Sequence, residues 1–175
     1  MMDKPMQLRE QLLKAHTKAN CHLIVQWVGN RQPRFDELFD LFLHDEYRVV
    51  QRAGWPVSYC VAAHPALIKK HFPNLLKNLV KAGTAEAVKR NTVRLLQYVD
   101  IPTKYHGQVM DTCFSYISSP DEAIAVKAFS LTILQQLSRQ YPEIKNELKL
   151  IIEERWNNET AAFKSRAKRI LKEIG

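Results

Sequence analysis

Five stretches of this chain share one apolar pattern at a nearly constant interval, and that periodicity restricts the fold more than any other feature. They are TKANCHLIVQWVG from Thr17, VQRAGWPVSYCVA from Val50, VKRNTVRLLQYVD from Val88, VKAFSLTILQQLS from Val126 and FKSRAKRILKEIG from Phe163. Their starts lie 33, 38, 38 and 37 residues apart. With each start as position zero and a turn of about 100° per residue, positions zero, four, seven, eight and eleven fall on one helix face. Position seven reads Ile24, Val57, Leu95, Ile133 and Ile170, and position eleven reads Val28, Val61, Val99, Leu137 and Ile174. The same core stripe is written five times. Position four holds only small residues, Cys21, Gly54, Thr92, Ser130 and Ala167. Small residues on a buried side let a neighbouring helix approach closely, which makes Cys21 a spacer rather than a reactive thiol.

A second amphipathic stretch precedes each of these helices, over residues 5–14, 35–44, 66–82, 103–118 and 142–157. Gly29, Gly83 and Gly175 follow helix ends, and Pro33, Pro65, Pro102, Pro120 and Pro142 stand near helix starts. No segment alternates in the manner of a strand. The expected fold is all-α: residues 1–175 form one domain of five antiparallel helix pairs, stacked as a right-handed α-α superhelix. A single pair cannot bury its own apolar face, so successive pairs share a core.

An aspartate or asparagine in the turn before the second helix recurs, followed five residues later by an apolar residue and six residues later by a polar or basic one. Here Asp45 precedes Val50 and Gln51, Asp121 precedes Val126 and Lys127, and Asn158 precedes Phe163 and Lys164. The first-turn column is Lys18, Gln51, Lys89, Lys127 and Lys164. On these residues the chain resembles the HEAT-like members of the ARM/HEAT superfamily. The resemblance implies that the acidic and basic columns pair as a ladder that sets stacking register, each exposed pair contributing about 0.2–1 kcal/mol. It also implies that the second helices line a concave surface.

Positions two, six and nine of the second helices lie away from the stripe, and none of the fifteen is acidic. From this face and the basic segment around it come the candidate partner-binding residues Arg52, Trp55, Tyr59, Arg90, Arg94, Gln97, Gln135, Arg169 and Lys172. The strongest charge block, seven Lys or Arg against one acid over residues 69–94, includes Arg90 and Arg94. Within RAGWPVSY, Pro56 removes an amide donor inside the helix and predicts a kink near Arg52. Trp55 beside it reads either as an interface anchor with Tyr59 and Arg52 or, the reading preferred here, as a ring packed under the neighbouring pair.

Enzymatic chemistry finds no foothold. The six histidines form no H-E-x-x-H motif, and no G-x-S-x-G, G-x-G-x-x-G or P-loop sequence occurs, so neither a catalytic residue nor a cofactor or metal is assigned. With 46 % hydrophobic and 25 % charged residues, the composition sets aside disordered and membrane classes. Three cysteines without a C-x-x-C pair, and a first stretch charged throughout, point to a reducing cytoplasm and no signal peptide. The expected role is a non-enzymatic scaffold or adaptor holding a protein partner on its concave face. Two alternatives stand beside it. One is nucleic-acid binding by the basic face. The other is a DNA glycosylase of the helical-repeat alkylation-repair type, which the chain resembles in repeat form, charge and aromatics but not in a carboxylate on the outward positions. Homodimerisation through the apolar end of the last pair is a further expectation.

Overall fold

The computed structural model describes residues 6–175; Pro5, the expected start of the first helix, lies outside the described residues. Among the described residues ten α-helices run in order: α1 Leu8–Lys14, α2 Lys18–Val28, α3 Gln32–His44, α4 Tyr47–Ala63, α5 Phe72–Val80, α6 Glu86–Leu96, α7 His106–Ser118, α8 Ile124–Leu137, α9 Ile144–Arg155 and α10 Ala161–Ile174. The five second helices of the repeat are α2, α4, α6, α8 and α10. There is no strand among the described residues. Where a start signal is strong, the local chemistry is visible: Thr17 caps α2 by accepting from the Asn20 amide at 3.1 Å, and Thr160 caps α10 by accepting from the Phe163 amide at 3.3 Å. Gly29 closes α2 with φ +54°, a left-handed backbone that L side chains adopt rarely.

Two expected first helices begin later than their apolar patterns, each behind a 3₁₀ turn. Residues 66–82 divide into a 3₁₀ turn, Pro65–His71, and α5. The cause is Pro73 in the first turn of α5, which has no amide to carry a continuous α ladder back through the preceding residues. A 3₁₀ turn, Thr103–Tyr105, likewise precedes α7.

The chain divides into two compact units, one ending at Val99 and the other spanning Asp100–Gly175. In the first, α1 with α2, α3 with α4 and α5 with α6 form three pairs, and α4 packs against both α2 and α6. In the second, α7 pairs with α8 and α9 with α10, and α8 packs on α10. The repeated stripe is the core of each unit: Ile24, Val57, Leu95, Ile133 and Ile170 are all buried, as are the five small residues at position four.

Position four shows why smallness matters. A Cβ on Gly54 of α4 would collide with the side chain of Asn91 on α6, and Asn91 is itself buried with its Nδ2 donating to the Ala87 carbonyl at 2.9 Å. Alanine in place of Gly54 gains up to about 1 kcal/mol of helix propensity. Overpacking against a fixed neighbour costs about 1–3 kcal/mol. The expected result for Gly54→Ala is therefore net destabilisation, read as a lower urea midpoint, with Asn91→Ala in the same chain recovering part of the loss. Pro56 is buried and does not break α4, which runs from Tyr47 to Ala63.

Candidate partner-binding face

In the first unit the second helices present a surface almost without carboxylates. Neither α2 nor α4 contains Asp or Glu, and the one acid of α6, Glu86, lies 3.8 Å from Lys89 in the same first turn. On this surface Trp55 and Tyr59 stand one turn apart on α4, each 37 % exposed. The Trp55 ring stacks on His16 with centroids 4.9 Å apart, and Tyr59 has His22 at 6.1 Å. From α6 the Arg94 guanidinium sits 5.4 Å from the Tyr59 ring centroid. Arg90, one turn earlier, is half-buried, and Gln97 donates from Nε2 to the Arg94 carbonyl at 3.1 Å.

Trp55, Tyr59 and Arg94 are thus brought together, and the preferred expectation of a buried Trp55 is corrected. Its position five lies at the edge of the stripe, and the ring, stacked on His16, stays 37 % exposed. Arg52 faces another way. Its Nη1 donates to the carbonyls of Leu12 at 3.2 Å and Leu13 at 2.6 Å, satisfying the otherwise orphaned end of α1. His16 and His22 were not singled out in the sequence, because an imidazole's ring partner lies on a different helix and leaves no local signal.

In the second unit Arg169 and Lys172 are exposed on α10. Gln135 departs from the outward-facing expectation: it is only 9 % exposed and its Nε2 donates to the Glu173 carboxylate. Glu173, at position ten of α10, also lies 4.0 Å from Arg139. The second-helix surface therefore has a carboxylate after all. Reading only positions two, six and nine missed it, because a long side chain one residue further round reaches the same surface.

The lysine column is structural where it is most buried, although with another partner than the sequence suggested. Lys127 Nζ lies 2.8 Å from Glu159, and Arg155 reaches the same oxygen at 2.8 Å. Burial pushes the Glu159 carboxyl up, but the hydrogen bonds from Lys127 and Arg155 outweigh it and hold the group below its usual range. Asp45 pairs with Arg9, at 3.0 Å, instead of a first-turn lysine, and Asp121 is exposed.

All three cysteines are buried and free. Burial raises the Cys21 thiol to about 11, with Arg94 opposing, and Cys60 and Cys113 to about 12. A neutral thiol is a poor nucleophile. Native protein at pH 8 is expected to resist iodoacetamide and to take up three labels once unfolded in urea; fast labelling of folded Cys21 would contradict the spacer role. Among the described residues no helix is long and apolar enough to cross a membrane.

Paired helices joined by short turns, with one apolar phase and one small-residue position recurring in every second helix, define a helical-repeat protein. The sequence family of HEAT repeat domains matches residues 8–174, and the chain belongs to it. No curated protein and no solved structure matches it significantly.

Proposed function

We propose that this protein is a non-enzymatic cytoplasmic scaffold or adaptor that holds a protein partner on the face of its second helices. The observation that carries this reading is the exposed Trp55–Tyr59 pair with Arg94, on a surface whose helices α2 and α4 have no acid. Exposed aromatics and arginine are the residue types that anchor protein interfaces. HEAT repeats commonly mediate protein interactions, which supports the same reading. That residues 1–175 work as one domain belongs to the proposal, and a single cooperative thermal transition is its expected signature.

A photocrosslinking amino acid in place of Tyr59, compared with one in place of exposed Asp40 on α3, tests the face directly. Protein adducts from position 59 and none from position 40 are expected. Adducts to nucleic acid alone, or adducts confined to position 40, would overturn the proposal.

A further inference from the structure

The exposed Trp55 and Tyr59 rings of the first unit each have a neighbouring ring or cation. His16 stacks on Trp55 at 4.9 Å, and Tyr59 has Arg94 at 5.4 Å and His22 at 6.1 Å. A ring beneath a guanidinium fixes its place by attraction to the π-face without neutralising it or consuming its N–H donors. Arg94 makes no side-chain hydrogen bond and no ion pair among the described residues, and Arg90 likewise has no carboxylate partner among them. Arg94 is therefore held against the Tyr59 ring with its donors unspent, and a second cation, Arg90, stands one helical turn before it. The Tyr59 ring positions the Arg94 charge.

We infer that this strip receives an acidic segment of a protein partner, its carboxylates taken by Arg94 and Arg90 and its apolar side chains laid against Trp55 and Tyr59. The inference rests on the proposed protein-binding role and narrows it to one chemistry. Planar guanidinium suits carboxylate because two parallel N–H donors match its two oxygens. The surrounding α2 and α4 have no acid to repel such a segment.

The test is fluorescence anisotropy with three labelled probes: a short Glu/Leu peptide, its Gln/Leu counterpart, and a single-stranded oligothymidylate of the same charge. The Glu peptide is expected to bind about tenfold or more tightly than the Gln peptide. Arg90→Glu with Arg94→Glu should weaken it by about tenfold or more, and Arg94→Gln by less, with circular dichroism and melting midpoint unchanged. Lys69→Glu with Lys77→Glu, the same charge change at exposed positions outside the second helices, should leave binding as it was. Equal binding of the Glu and Gln peptides overturns the inference, as does tighter binding of the oligonucleotide. If position 59 still crosslinks to protein while the Glu peptide shows no preference, the acidic chemistry fails alone; if position 59 crosslinks to no protein, the binding role fails with it.

Discussion

Glu159→Ala is expected to lower the unfolding free energy by about 3–5 kcal/mol, among the largest losses a single substitution in this chain can cause. Lys127 and Glu159 have side chains only 5 % and 4 % exposed, so removing the carboxylate leaves an ammonium buried with no counter-charge. Lys127→Met should cost less, because Glu159 keeps Arg155 at 2.8 Å. The pH dependence follows from the lowered pKa of Glu159. Its folded value lies below the unfolded one, so the contribution is present above the ordinary glutamate value of 4.5 and disappears as pH falls through the folded value. In denaturant melts the stability gap between wild type and Glu159→Gln should be full at pH 7 and narrower at pH 3. A wild-type stability that is flat across that interval would show that the cluster contributes no pH-dependent stabilisation.

Ile133→Ala is expected to cost about 2–5 kcal/mol, from lost transfer energy and the cavity left behind, and Ile133→Val about 0.5–1.5. Ile133 is fully buried on α8, at the position that Val57 and Leu95 occupy on α4 and α6. Leu95→Ala should fall in the same range, while Ser165→Ala, exposed at position two of α10, should stay within about 0.5 kcal/mol. At this chain length each kcal/mol moves the melting midpoint by about 2–4 °C. Thermal melts of the four variants would reveal a wrong helical phase if Ser165→Ala proved as damaging as Ile133→Ala.

The helix pairs were legible because burial of one face imposes a period that the sequence must obey in every repeat, and Ile24, Val57, Leu95, Ile133 and Ile170 obey it. Position four was legible for a similar reason, since only small residues fit where α4 meets α6 at Gly54. Contacts between residues far apart in the chain left no such trace. Arg52 caps α1 across about forty residues of sequence, so its outward-facing number disguised a structural task. The acid that Lys127 meets is Glu159, just after the 3₁₀ turn Trp156–Asn158 and 32 residues further along the chain. Pro73 shortened a helix that periodicity alone extended to residue 66. The candidate site was half legible: Trp55, Tyr59 and Arg94 were found by position, whereas His16, His22 and Glu173 depended on which helices meet.

The central claim is that the second helices of a HEAT repeat domain form the working surface. Amide hydrogen exchange of the protein alone and with the partner captured at position 59 tests it most directly. The account predicts slowed exchange in α4 and α6, over Tyr47–Ala63 and Glu86–Leu96, with α3 and α5 unchanged. Slowed exchange confined to α1, α3 and α5, with the second helices unaffected, would contradict it.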